Sequence, residues 1–302
     1  MRAVLLVAHT SREQIRDLAI QTSRRLRDSG FEVRMLADEA AACGDGPVAV
    51  VDHDSAAQGT ELVLVLGGDG TFLRAAELAR PASVPMLGVN LGHVGFLAVT
   101  EVDALAETVE TIVRRDYTVE ERVTVDAVVY VDGVEHDHAW ALNEVSIERT
   151  NRERMLEIAI AFDGRPLLRF GCDGVLCSTP TGSTAYAFSA GGPIMWPDVD
   201  ALLVVPNAAH ALFARPIIVA PGSTVDIDLL SHGHDAVLSC DGRRSLSLPA
   251  GARVRVRKGA LPVRIARLAD WSFADRLVNK FQLPVRSLRE ASTHPGDDRT
   301  QG

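Results

Sequence analysis

The chain has 302 residues, 47% of them hydrophobic and 24% charged, with a formal net charge of −9. That length buries a full core in one large or two ordinary domains. The negative balance excludes a general nucleic-acid binder, which needs a basic face. Cys43, Cys172, Cys177 and Cys240 show no C-x-x-C spacing and read as reduced thiols rather than a zinc site or disulfide framework. No apolar run approaches membrane-spanning length, and the first apolar run is too short for a signal-peptide core, so the expectation is a cytoplasmic protein.

The first third alternates strand and helix. A strand over 3–8 precedes Ser11-x-x-Gln14, which reads as a capping box opening a helix with Ile15, Leu18, Ala19, Thr22 and Leu26 on one face. Gly30 ends that helix, and Phe31, Val33 and Met35 alternate as a second strand. Residues 40–59 read as a surface loop. Strands follow at 61–66 and at Met86–Asn90, then a helix carrying Leu105, Val109, Ile112 and Val113. Strand–helix alternation predicts an α/β domain on a parallel sheet, placed at 1–122.

Beyond residue 122 the period falls to two. Val123 to Val131 alternate with polar residues up to Asp132-Gly133, and further Asp-Gly turns stand at 163–164 and 241–242 between strand-like runs such as Leu156–Phe162 and Ser245–Leu248. We expect a β-rich antiparallel domain over 123–286, with a final helix through Phe273, Leu277, Val278 and Phe281 packing back, and a disordered tail at 287–302.

Three segments carry chemistry. In the first, the apolar run Leu62–Leu66 enters Gly67-Gly68-Asp69-Gly70-Thr71 and then a helix ended by Pro81. A Gly-rich turn at a helix start aims backbone N–H groups at an anion, typically phosphate. It is neither a P-loop, lacking the lysine, nor a dinucleotide fingerprint, lacking the third glycine. Asp69 adds charge where the ligand is already negative. It fits a proton acceptor for a hydroxyl or a partner for a metal ion, and equally a helix cap. The second segment is Asn143-Glu144, an amide and a carboxylate able to read an adenine edge and a ribose diol, or simply to end a strand. The third runs from Asp173-Gly174 through Ser178-Thr179-Pro180-Thr181-Gly182-Ser183-Thr184-Ala185-Tyr186 to Gly191-Gly192-Pro193. Its hydroxyls suit polar edges, with Tyr186 as a stacking surface. His136-x-His138 and His232-Gly233-His234 lie beside acidic, loop-like sequence and read as solvated surface.

Together with Gly88-Val89-Asn90-Leu91-Gly92, Gly95-Phe96 and Ala214-Arg215-Pro216, these segments resemble the NAD kinase family in its bacterial, ATP- or polyphosphate-dependent form. The GGDG turn is shared with diacylglycerol and sphingosine kinases and with phosphofructokinases. The 179–186 loop with an upstream Asn-Glu pair is the specific part. In the lipid kinases that pair tends to follow GGDGT directly, where this chain has Phe72-Leu73-Arg74.

The resemblance implies the NAD kinase/diacylglycerol kinase-like fold and transfer of the γ-phosphate of ATP to the 2′-hydroxyl of the adenosine ribose of NAD, giving NADP. By similarity Asp69 is the proton acceptor, Gly70 and Arg74 lie beside the dinucleotide, and Asn143 and Glu144 hold adenine and ribose hydroxyls. Asp173, Thr184, Ala185, Tyr186, Ala187, Phe188 and Ser189 complete the NAD pocket, and Arg154, Ala208 and Arg243 align with further contacts. A divalent metal (Mg²⁺) accompanies ATP, and members assemble as homodimers or homotetramers. Gly171 stands where some relatives carry a larger residue, which leaves the choice between NAD and NADH open, as is that between ATP and polyphosphate. A lipid kinase of the same superfamily and a non-catalytic NADP-sensing module are the competing readings.

Overall fold

The computed structural model describes residues 1–44, 48–90, 95–97, 100–101, 105–151, 154–230, 233–268 and 272–284. The tail expected at 287–302 and His232 fall outside them.

Two apolar runs set the first layer. β1 (Arg2–Ala8) is buried from Ala3 onward, and further along the chain Leu62–Leu66 is buried at every position, which calls for cover on both faces of a parallel sheet. The other strands of the N-terminal part are β2 (Phe31–Leu36), β3 (Ala49–Val51), β4 (that Leu62–Leu66 run), β5 (Met86–Asn90), β6 (Thr100–Glu101) and β7 (Thr118–Arg122). Among the described residues the sheet order is β3-β2-β1-β4-β5, parallel throughout, with β6 also pairing β5. Helices α1 (Glu13–Asp28) and α4 (Leu105–Arg114) cover one face, where Ile15, Leu26 and Ile112 meet Val4, Leu6 and Leu64. Helix α3 (Asp69–Ala79) covers the other, where Phe72, Ala75 and Ala76 meet Leu5, Val7 and Val65. The short α2 (Ala37–Ala42) follows β2.

The second part is a sandwich. Its strands are β8 (Val125–Val131), β9 (Val134–Ala141), β10 (Glu144–Arg149), β11 (Leu156–Phe162), β12 (Arg165–Cys172) and β13 (Gly174–Ser178). They continue with β14 (Leu202–Asn207), β15 (Ile217–Val219), β16 (Val225–Leu229), β17 (Ala236–Cys240), β18 (Arg244–Leu248) and β19 (Arg253–Lys258). One sheet runs β15-β14-β13-β10-β17-β18 and the other β12-β11-β16-β19-β8-β9. Val145, Ile147, Val175 and Leu238 of the first share a single core with Val125, Val129, Ile158, Ile227 and Val254 of the second. The Asp-Gly pairs at 132–133, 163–164 and 241–242 all have positive φ at both residues, between 51° and 77°, as type I′ hairpin turns require.

Several expectations are corrected. Ser11 does not cap α1: the residue at the cap is Arg12, and the Ser11 hydroxyl hydrogen-bonds His9 Nδ1 at 3.0 Å instead. The stretch 40–59 is not all loop, since it holds the end of α2, the edge strand β3 and a 3₁₀ turn. After Thr179 there is a 3₁₀ turn at Thr181–Thr184 and only a four-residue α5 (Tyr186–Ser189). The boundary at 122 also assigns too much to the second part. Strand β20 (Val263–Arg267) crosses back to pair with β5 in parallel and with β7 antiparallel, so β7 joins the first sheet only through residues near the end of the chain. Helix α6 (Phe273–Phe281) then packs on Phe96 through Phe273 and Leu277.

A fragment of residues 1–122 is therefore expected to lack cooperative unfolding. Without β20, β7 loses its strand partner among the described residues, and β5 loses its neighbour at Met86. Thermal denaturation followed by circular dichroism checks this, with the full chain as reference; a sharp transition in the fragment would refute it.

Candidate functional site

In the first sheet the connections leaving β1 and β4 run to opposite faces, α1 on one and α3 on the other. A crevice opens beyond the carboxyl ends of two such strands, and ligands bind there in open α/β sheets. A cavity of about 650 Å³ occupies this point, lined by Ala8 to Arg12 after β1, by Gly67 to Thr71 after β4, and by Arg74, Gly95, Arg243 and Lys280. The start of α3 opens into it, so the positive end of the helix dipole favours an anion there.

Asp69 is not a helix cap. The cap position is Gly68, and the Asp69 carboxylate instead accepts the Phe96 amide at 3.3 Å and the Leu97 amide at 3.2 Å. Gly95 makes this possible, because a Cβ there would lie 2.4 Å from Asp69 Oδ1. Gly67 has a similar role, since a Cβ would meet the Thr71 hydroxyl at 2.5 Å. Arg74 lines the cavity but is tied down, donating to the Ala8 carbonyl at 2.9 Å and to the buried carboxylate of Glu39. Burial pushes the Glu39 carboxyl upward while Arg74 opposes it. Arg243 reaches the same cavity and donates to Glu77 at 3.1 Å.

Asn143 and Glu144 open β10 in the second part. Both are buried, and the backbone beneath them is fixed by Asp241, whose carboxylate accepts the Leu142 amide at 3.0 Å and the Asn143 amide at 2.7 Å. The Glu144 carboxylate accepts the Tyr186 amide, while its Oε2 is buried without a partner. Burial, and next the neighbouring charge of Asp241, push its pKa up to about 8. An orphaned acceptor of this kind is costly unless a ligand donor fills it. Tyr186 is held at the other end too. Its hydroxyl bonds Glu148 and accepts from Asn207 Nδ2 at 3.1 Å. Asp173 precedes β13 beside Asn207, with its carboxylate on Arg149 at 3.1 Å.

The hydroxyl-rich loop works differently from the expectation. Thr179 Oγ1 donates to the Leu142 carbonyl at 2.6 Å, Ser178 Oγ donates to the Asn143 carbonyl at 3.2 Å, and Ser183 Oγ accepts the Met195 amide at 2.6 Å. All three are fully buried and serve the backbone rather than a ligand. Gly182 lies so close beneath Asn143 that a Cβ would sit 2.0 Å from its carbonyl oxygen.

The expected site residues thus fall into groups. Asp69, Gly70, Arg74 and Arg243 share the cavity; Asn143 and Glu144 stand at the start of β10 opposite Ser178, Asp173 stands at the other end of the β10–β13 pair by Glu148, and Tyr186 spans from Glu144 to Glu148. Ala208, in left-handed conformation, follows Asn207. Thr184 bonds the Thr181 carbonyl, Ala185 links the 3₁₀ turn to α5, and Ser189 is exposed. Ala187 packs into the core against Leu176 and Leu203, and Phe188 stacks 4.6 Å from Phe281. Arg154 stands apart, exposed and 3.3 Å from His234 Nε2. His136 and His138 are exposed beside Asp137 and Glu135. Sequence reasoning missed His9, Arg12, Lys280, Asn207 and Asp241. His9 had a readable signal, as the first residue past β1 at the switch point; Asp241 was legible only as a turn residue.

Two family models match this chain, the ATP-NAD kinase N-terminal domain over residues 48–117 and the ATP-NAD kinase C-terminal domain over residues 142–268. A NAD kinase of Mycolicibacterium paratuberculosis is 53% identical over 301 residues, covering 95% of this chain and 98% of the relative. One of Thermobifida fusca is 55% identical over 298 residues, covering 95% and 91%. Among solved structures, yeast NADH kinase complexed with NADH superposes with a TM-score of 0.85 at 23% identity, covering 95% of this chain and 89% of that one. An Archaeoglobus fulgidus NAD kinase in complex with ATP gives 0.69 at 24%, covering 93% and 98%. With both domain models matched in order and half the residues shared across nearly the whole chain, the protein belongs to the NAD kinase family.

Proposed function

We propose that this NAD kinase transfers the γ-phosphate of ATP to the 2′-hydroxyl of the adenosine ribose of NAD, with Asp69 as proton acceptor. The observation that carries the assignment is the Asp69 carboxylate, fixed by two backbone amides at the mouth of a helix-start phosphate cavity. The hydroxyl oxygen forms the new bond to the γ-phosphorus, the bond to the β-bridging oxygen breaks, ADP leaves, and the hydroxyl proton passes to Asp69. The cations at the cavity and the amides opening α3 hold the donor's phosphates. The orphaned Glu144 oxygen accepts a ribose hydroxyl, Asn143 meets the adenine edge, and the Tyr186 ring lies alongside.

A Mg²⁺ ion would be carried in on the nucleotide's phosphates, with Asp69 the carboxylate lining the cavity that would lie beside it. When bound, that ion neutralises charge developing on the transferred phosphoryl group. Gly171 leaves room beside Met155, a Cβ there standing 3.4 Å from its Cε, so this position excludes neither NAD nor NADH. Exposed Leu212, Phe213 and Ile218 beside the edge strand β15 support assembly into a homodimer or homotetramer, and four free cysteines support a cytoplasmic setting.

Three outcomes are expected. Incubation with NAD, Mg²⁺ and ATP or polyphosphate should give NADP, detected with an NADP-specific dehydrogenase, while diacylglycerol and sphingosine stay unlabelled. Label in lipid and none in the dinucleotide would overturn the assignment.

Asp69→Asn should lower kcat by roughly 10²–10⁴-fold, since Asn takes no proton; because its NH2 faces the Phe96 or Leu97 amide, NAD affinity and melting temperature are read alongside to separate lost proton transfer from lost positioning. Rescue by high Mg²⁺ would shift the role of Asp69 to metal binding. A rate near wild type would pass the proton to another group, with His9 in the same cavity the one to replace next.

Glu144→Gln should weaken NAD binding by about 1–2 kcal/mol, read by calorimetry above about pH 8, where Glu144 is ionised and both of its oxygens accept. The same change should stabilise the free protein at alkaline pH. Folded Glu144 keeps its proton up to about 8, whereas the unfolded chain releases it near the ordinary 4.5. Between those values the unfolded state binds fewer protons, so wild-type stability falls as pH rises through the window. The melting-temperature advantage of the variant should therefore grow from about pH 5 to about pH 8. A flat difference would show that Glu144 is already ionised in the free protein.

A further inference from the structure

Asp69 belongs to the first sheet and Asn143–Glu144 to the sandwich, and the cavity around Asp69 does not include the pair. Their separation must be fixed by something between them. Helix α3 starts at Asp69 and ends with Glu77 and Arg80 facing the sandwich. Glu77 Oε1 lies 3.3 Å from Arg244 Nε. Arg244 also donates to the Trp140 carbonyl at 2.8 Å and to Asp241 Oδ2 at 3.2 Å, and its guanidinium stacks 4.5 Å from the Trp140 ring. The other face of α3's end closes the grip. Arg80, held by Asp126 at 3.1 Å and the Leu261 carbonyl at 2.9 Å, lies 4.2 Å from the same ring. Asp241 in turn carries the Leu142 and Asn143 amides and donates its own N–H to the Glu144 carbonyl at 3.0 Å.

We propose that Arg244 is a positioning residue: its guanidinium joins Glu77 of the catalytic helix to Asp241 and Trp140 beneath Asn143–Glu144, and so sets the distance between proton acceptor and nucleoside-reading pair. The inference rests on the function proposed above. Its Nη2 donates to the Trp140 carbonyl and to Asp241 while its charge pairs with Glu77 and its plane stacks on the Trp140 ring, a set of contacts a lysine ammonium does not make. The Asp241 side chain is 2% exposed, so Arg244 also supplies the cation this buried carboxylate needs. In a phosphoryl transfer, displacement of a reacting group by about 1 Å costs on the order of 10²-fold in rate.

The test uses the full chain with Arg244→Met and Arg244→Lys. The Met variant should lose roughly 10–10²-fold in kcat/KM for NAD while KM for ATP stays within about twofold, since the phosphate cavity is intact. Lys should not restore the loss. Glu77→Gln combined with Arg244→Met should cost less than the two single changes multiplied, by the part of the Glu77 effect that runs through Arg244 rather than Arg243. A variant with a lower melting temperature but unchanged kcat and KM for NAD would overturn the proposal and leave Arg244 as a stabiliser only. Equal losses toward NAD and ATP would overturn it as well. If the wild-type chain binds NAD without making NADP, the proposed function fails. The positioning role is then judged by calorimetry, and equal NAD affinity in Arg244→Met and wild type refutes it.

Discussion

Everything at this site depends on the divergence of two neighbouring parallel strands. β1 and β4 are hydrogen-bonded along their length, yet α1 and α3 leave them for opposite faces of the sheet. No side chain has to create the opening beyond their ends; chain direction does. The strands deliver His9 to Arg12 on one lip and Gly67 to Thr71 on the other, and the start of α3 supplies the field. Shifting that register would move Asp69 away from the amides that orient it.

Backbone-to-side-chain proximity is the second constraint. Gly95 and Gly182 are needed because something must come closer than a Cβ allows, the Asp69 carboxylate in one case and the Asn143 carbonyl in the other. The buried hydroxyls of Ser178, Thr179 and Ser183 follow from the same shortage of space. Chain folded tightly beneath Asn143–Glu144 has carbonyls and amides that water cannot reach, and short hydroxyls satisfy them. A run of Ser and Thr can therefore be scaffolding, while the carboxylate above it, Glu144, is left with an unpartnered oxygen.

What was legible in the sequence was local. The Asp-Gly hairpins, the fully apolar parallel strands and the glycine turn all follow from interactions within a few residues, and each stands where the pattern put it. The misses are long-range or competitive. Ser11 carries a capping pattern, but His9 engages its hydroxyl first. Asp241 reads as half of a turn and is, from nearly a hundred residues away, the anchor of Asn143. Lys280 reaches the cavity at the start of α3 only because α6 follows a strand that returns to the first sheet. No window of sequence contains both partners of such contacts.

That returning strand has a consequence for how the protein is made. The first sheet reads as an N-terminal domain, yet β7 waits for β20, and between them the ribosome must deliver the whole sandwich. During synthesis β5 and β7 are exposed strand edges, open to pairing with other chains, until Val263–Arg267 emerges. The sandwich is contiguous in sequence and can form first; the first sheet, begun earlier, is completed last. The first sheet is therefore completed against the order of synthesis, and its β7 edge stays open from the emergence of Thr118–Arg122 until Val263–Arg267 is released.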